Sequence, residues 1–432
     1  MHWLLIGYMF LFIHRPFEVW PMLGDLRIER VYMLATIVAW VVYSGKRWLP
    51  NAQHIAYAGF ATAVLAAWVM SPWMDRTQPL VEDYFKILVF YGLLVTTVHD
   101  EKALKKIVIG FIAVMGIYLA HSFREYTNGR HVYRMGIARL IGVDSTMGDP
   151  NSFGASIVFA LPFVAALWRT GIGGLYGKFA LSGYGALSVL CILLTGSRSS
   201  LLGLIAWATI LILGNRRRWL FLGLVGAAAP VAFIALPESL QTRFETIINP
   251  DVGPANAKES GEGRVIGLLT GLDLWAANPL SGVGPGAWRP ATHSGVESHN
   301  LYGQLVGELG TIGLIGFVAV LAGFYLNYRR VATIRKQYPE WGYDLIFQVS
   351  SAVGVGVLLL LFMGNFGHNL FRYSWLWYGG FLIVARHCAE ERLLDHEWEL
   401  ADQDYDEVEL DDEWTLHEGH VLPGYASASA VR

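Results

Sequence analysis

The stretch SHNLYGQLVGELGTIGLIGFVAVLAGFYL, Ser298–Leu326, decides how the rest of the chain reads. From Asn300 onward it carries a single charged residue, Glu308, and it is longer than the ~20 apolar residues that cross a hydrocarbon core. Gly303, Gly307, Gly310, Gly313 and Gly316 recur every three or four positions. They strip one helix face of side chains, so that another helix or a lipid chain can approach closely, and tight helix packing is the favoured use. Upstream lies the longest polar connection, 237–299. Downstream Arg329, Arg330, Arg335 and Lys336 close the span.

Eleven more apolar segments surround it. The spans predicted are 2–13, 28–44, 53–73, 81–98, 105–121, 150–168, 178–195, 199–214, 219–236, 300–326, 344–364 and 372–388. The expected fold is therefore an all-α integral membrane protein of about 12 transmembrane helices with one long periplasmic loop. The first segment is short, has no Lys or Arg before it and no cleavage site after it, which argues against a signal peptide. Composition agrees: 54% of residues are hydrophobic and only 16% charged, where a soluble domain would carry about 25% charge. Short, basic connections (Lys46 and Arg47; Lys102, Lys105 and Lys106; Arg169; Arg216 to Arg218; Arg329 to Lys336) mark the cytoplasmic side. The other side then holds 14–27, 122–149, 196–198, 237–299 and 365–371. The formal charge of −3 conceals a split. Residues 389–432 hold 14 Asp/Glu against 2 Arg, so the body before them is basic and suited to anionic lipid or phosphate. The expected organisation is 1–149 (N-terminal helices and outer loops), 150–388 (a membrane region including the loop 237–299) and 389–432, an acidic, solvated, disordered cytoplasmic tail. Cys191 and Cys388 fall at different depths, so no disulfide is expected.

Within the long loop, Leu240, Phe244, Ile247 and Ile248 repeat at helical spacing and read as a helix lying on the membrane surface. Pro250–Gly263 reads as mobile. A second helix is expected over 264–277, followed by a rigid, turn-rich segment, Ser281–Trp288. Three residues carry candidate chemistry. Arg198, in Thr195-Gly196-Ser197-Arg198-Ser199-Ser200, sits in a connection so short that it lies at the interface; it either snorkels to headgroups or grips phosphate oxygens in a two-pronged geometry. Arg264 is either a loop arginine paired with Glu259 or Glu262, or a second phosphate ligand. His299 titrates near neutrality and can take a proton from a hydroxyl, or is structural. Asn300 either holds the imidazole or caps the helix. Gly282-Val283-Gly284-Pro285-Gly286 follows no strand and is rejected as a nucleotide loop. The Asp402–Asp406 carboxylates read as solvated tail.

Four stretches in order resemble the O-antigen ligase and O-antigen polymerase superfamily of membrane glycosyltransferases. They are Gly148-Asp149-Pro150-Asn151, Thr195-Gly196-Ser197-Arg198, Asn278–Gly286, and Ser298-His299-Asn300 running into Glu308-Leu309-Gly310-Thr311-Ile312-Gly313-Leu314. The resemblance covers roughly 150–330. It implies a multi-pass enzyme of the bacterial inner membrane that takes a glycan from an undecaprenyl-pyrophosphate donor at the periplasmic face and passes it to a glycan, lipid or protein acceptor. Arg198 and Arg264 match the arginines held to bind the pyrophosphate, and His299 matches the proposed base. Asp149, Ser197 and Asn300 stand as supporting positions, while Arg289 and His293 match no motif. No cofactor, metal or nucleic-acid partner is expected. The alternative is a membrane transporter of a small anion such as bicarbonate, which calls for ionisable groups at mid-membrane, inverted repeats or broken helices.

Overall fold

The computed structural model describes residues 1–134, 137–146, 148–249, 252 and 255–416, with backbone only at 134, 255–262 and 403–416. In chain order the helices are α1 (His2–Ile13), α2 (Pro16–Val19), α3 (Pro21–Asp25), α4 (Ile28–Val42), α5 (Ala52–Val69), α6 (Met74–Thr97) and α7 (Glu101–Thr127). A hairpin of β1 (Val132–Arg134) and β2 (Ile137–Arg139) follows. Then come α8 (Pro150–Arg169), α9 (Gly174–Leu194), α10 (Arg198–Leu213), α11 (Arg218–Ile234), α12 (Glu238–Glu245), α13 (Ala255–Ala277), α14 (Trp288–Thr292), α15 (Leu301–Gln337), α16 (Leu345–Gly364) and α17 (Ser374–Leu416). Among the described residues, six of these (α5, α7, α8, α9, α15 and α16) are long and apolar enough to cross a membrane, and α10 and α11 are shorter apolar helices. The protein is a multi-pass helical membrane protein.

One compact unit spans Met1–Cys388, and a second begins at Ala389. The acidic tail departs from expectation: its backbone is helical to Leu416, and 417–432 lie outside the described residues. Glu and Leu account for ten of the residues 389–410, and both are good helix formers. α1, at twelve residues, is short for a span, yet Leu5, Tyr8, Met9 and Phe12 are fully buried or nearly so, and it packs against α7. Both cysteines are buried, and neither forms a disulfide among the described residues.

The glycine-lined span is two helices in tandem. Gly310 has φ 61° and ψ −155°, a region open only to glycine, and the helix breaks there. The broken turn is filled by the segment before α14: Val283 N donates to Gly307 O (2.9 Å) and Gly284 N to Glu308 O (2.9 Å). Thr311 N donates to Pro279 O (2.9 Å) and Ile312 N to Leu280 O (3.2 Å). Backbone groups freed in an apolar setting thus regain partners, which is the condition for irregular chain at membrane depth. The other glycines serve packing as expected. A Cβ on Gly303 would lie 2.2 Å from Gly267 O of α13, and one on Gly323 would lie 3.0 Å from Gln53 of α5.

The long loop folds back onto the bundle. Leu240 and Phe244 of α12 do not face lipid; they are buried with Ile137 and Leu236, against Leu193, Leu194 and Leu201. The apolar face is real, but protein covers it, and only Ile248 is left almost fully exposed. α13 begins at Ala255, nine residues before the expected start, so Arg264 lies within a helix instead of opening one. Gly261 and Gly263 each cost only about 1 kcal/mol in a helix, and packing on α15 holds the segment. Of the stretch read as mobile, 255–263 is therefore helical, while 250, 251, 253 and 254 lie outside the described residues.

Candidate active site

Three helices begin at the same end of the bundle, each with a capping side chain from one of the quoted motifs. Asp149 Oδ1 accepts from Asn151 N (3.0 Å) and Ser152 N (3.2 Å) at the start of α8. Ser197 Oγ accepts from Ser200 N (3.3 Å) at the start of α10. Asn300 Oδ1 accepts from Tyr302 N and Gly303 N, both at 3.0 Å, at the start of α15. Asn300 is thus a cap and does not need the imidazole as a partner. The neighbouring Ser298 hydroxyl donates to Asn300 O (3.0 Å) and accepts from Asn300 N (3.3 Å). Three helix N-termini present partial positive charge toward one place, which favours an anion there.

That place is an open hollow of about 50 Å³, to which Asp149, Ser199, His299, Phe366, His368 and Arg372 all contribute. The His299 and His368 rings lie 5.9 Å apart, centroid to centroid. Arg264 reaches the same rim from α13, its guanidinium carbon 5.0 Å above the Phe366 ring. Burial first, and then the charges of Arg198 and Arg243, push the Arg264 guanidinium down to about 10. The mutual repulsion places Arg198, Arg243 and Arg264 within electrostatic reach of one another. The structure therefore brings His299 and both predicted arginines to one end of the fold. Pairing of Arg264 with Glu259 or Glu262 falls on side chains outside the description.

Arg198 is almost wholly buried, and its Nη1 donates to Thr246 Oγ1 at 3.1 Å. The turn that carries it is held by two further arginines. Arg139 Nε donates to Thr195 O (2.6 Å), and Arg243 Nε donates to Gly196 O (2.5 Å). Gly196 has φ 57°, and a Cβ there would press on Leu240 and Arg243. The hairpin and α12 thus position Arg198.

Arg372 was missed in the sequence because it reads as the flank of a span. It is 9% exposed, its Nη2 donates to Ser156 Oγ and Ser152 O, and its guanidinium lies 5.2 Å from the Phe159 ring. The signal was present: a cation beside an apolar run, the same signal that marked Arg198. Arg289, by contrast, pairs with Glu297 at 2.8 Å, and His293 adopts a left-handed turn at φ 53°.

The architecture defines a multi-pass helical membrane protein whose one end gathers arginines, helix N-termini and two imidazoles around a hollow. Residues 183–318, about a third of the chain, match the family model described as O-antigen ligase, and the match supports membership of the O-antigen ligase superfamily. The match spans Arg198, Arg264 and His299 but leaves out Asp149, His368 and Arg372. No curated protein matches the chain. Glycan transfer of the O-antigen ligase or polymerase type follows in general terms, and the anion-transporter alternative gains no support. Its one suggestive feature, the break at Gly310, is occupied by the chain's own backbone.

Proposed function

We propose that the protein transfers or polymerises glycan from an undecaprenyl-pyrophosphate donor at the periplasmic face of the bacterial inner membrane, with inversion at the anomeric carbon and without a metal. The observation that carries this reading is the approach of Arg264 to both Arg198 and the hollow that holds His299. Arg198 and Arg264 grip the pyrophosphate. As the sugar–oxygen bond breaks, the leaving diphosphate gains negative charge, and cations placed for it stabilise the transition state more than the ground state. Removal of one such group typically lowers the rate by about 10²–10³. Pyrophosphate is a good leaving group and needs no strong acid behind it.

The acceptor hydroxyl is a poor nucleophile, so His299 takes its proton as it attacks from the face opposite the diphosphate; such a base contributes about 10²–10⁴. Asp149, Ser197 and Asn300 act through the helix ends they cap. α13, which reaches the rim of the hollow through Arg264, helps limit access of water, which would compete with the acceptor. The density of Lys and Arg in the short connections at the opposite end supports the outward orientation.

The test is reconstitution of the purified protein with lipid-linked glycan, with and without acceptor, in chelator. The parent transfers glycan; Arg198→Ala and His299→Ala fold and do not. Near-normal transfer by His299→Ala removes the base assignment, and activity lost to chelator removes metal independence.

A further inference from the structure

At the end of the bundle opposite the hollow, α8 closes on Arg169 beside two adjoining crevices. One, of about 120 Å³, lies between α8, α10 and α16. The other, of about 280 Å³ and almost entirely apolar, lies between α8, α9, α10 and α11. Arg169, Trp207, Ala165 and Leu211 line both, so the two form one branched slot with a single cation at the fork. Arg335 reaches the same wall: its Nη1 donates to Ser351 Oγ at 3.1 Å, and Ser351 lines the smaller branch. The Arg335 charge bears directly on Arg169. A third cation, Lys178, sits 5.3 Å from the ring of Trp168 on the rim of the larger branch. Among the described residues, neither Arg169 nor Arg335 is paired with a carboxylate.

Two neighbouring guanidinium groups with no carboxylate partner among the described residues repel one another, and an anion between them relieves this. The larger branch is too apolar to favour water, and basic pockets between spanning helices hold anionic headgroups. We propose that this slot binds an anionic bilayer phospholipid, its phosphate between Arg169 and Arg335 and its acyl chains in the two branches. A zwitterionic lipid fits less well, because its own ammonium cancels the attraction. The inference is independent of glycan transfer, since it concerns the opposite end of the fold and residues with no part in that chemistry.

Native mass spectrometry of the purified full chain, titrated with phosphatidylglycerol, phosphatidylcholine or inorganic phosphate, tests it. Phosphatidylglycerol is expected to give saturable adducts that phosphatidylcholine does not. Arg169→Gln weakens them about fivefold, from roughly 1 kcal/mol per basic residue near a membrane surface, and Arg169→Lys restores most of the loss. Ala165→Phe narrows both branches without touching a charge and weakens the same adducts. Equal retention of the two lipids, displacement by millimolar inorganic phosphate, or adducts unchanged in both Arg169→Gln and Ala165→Phe would each overturn the proposal.

Discussion

Glu18→Gln tests whether the N-terminal segment, which lies outside the family match, organises the candidate site. Glu18 stands 127 residues from Ser145, yet its carboxylate clamps the chain that leads into Asp149. Oε2 accepts from Ser145 N (2.7 Å), Ser145 Oγ (2.9 Å) and Thr146 N (3.3 Å). Oε1 accepts from Thr146 Oγ1 (2.7 Å) and from Arg15 Nη1 (2.9 Å). An amide has one acceptor oxygen, so Gln satisfies one of these groups and turns an N–H₂ against the other. Bonds to a charged group contribute about 1.5–3 kcal/mol against 0.5–1.5 for neutral ones, and Ser145 and Thr146 are exposed enough to regain water. The loss expected is therefore about 1.5–3 kcal/mol, or roughly 10- to 150-fold in the opening equilibrium of this loop.

Amide hydrogen exchange of 142–149 in the intact protein measures that opening, and transfer rate measures its consequence. The acid limb supplies a second signature. Burial raises the Glu18 carboxyl, but the Thr146 bond, the Arg15 charge and the Ser145 bonds outweigh it, and the net shift is downward. A carboxyl lowered by folding stabilises fully above its unfolded value, about 4.3, and loses that contribution as pH falls through the lower folded value. The parent loop should hold its protection from neutrality to about pH 5 and lose it in acid, while Glu18→Gln shows no such step. Equal protection and equal acid profiles in parent and variant would refute the clamp.

Gly310→Ala places a Cβ 2.5 Å from Gly282 N and Leu280 O at a glycine-only conformation. Strain of about 1–3 kcal/mol plus loss of the loop's backbone bonds should sharply reduce folded yield by size-exclusion chromatography, whereas Gly183→Ala, which meets nothing within 4 Å, should not. Arg372→Lys keeps charge but loses the fork that engages Ser152 and Ser156; transfer should fall about tenfold with little change in melting temperature. Arg264→Gln removes a repelled cation and should raise the melting temperature of the free protein while abolishing stabilisation by inorganic pyrophosphate; a lower melting temperature with pyrophosphate stabilisation retained would remove Arg264 from the anion site.

The fold and the named residues were legible to different depths. The six helices long and apolar enough to cross a membrane could be read because apolar runs are local properties. Arg198 and His299 could be singled out as candidates because each sits where an apolar run meets a short polar motif. The partners that hold them could not. Arg139 and Arg243 meet Thr195 and Gly196 across separations of 56 and 47 residues, and nothing local distinguishes them from surface cations. The glycines at 282, 284 and 310 were visible individually, but the docking of one segment into a break in another is a long-range pairing. α12 shows the reverse failure: its amphipathic face is plain in the sequence, while what covers that face depends on the tertiary fold.

The arrangement also explains why the site end carries so much scaffolding. The charges of Arg198 and Arg243 both bear on Arg264, and three helix N-termini add to the same positive field. Left to packing alone, such groups would splay toward water. Instead, Arg198 is fixed through Thr246, whose hydroxyl donates to Arg243 O at 2.6 Å, and Arg243 in turn holds Gly196 O. The ring closes two residues before the one it positions, so displacing any member disturbs the rest. Under the proposed function, a cluster held in place in this way would meet a diphosphate with its cations already gathered, and its stabilisation would be available to the charge that develops during transfer.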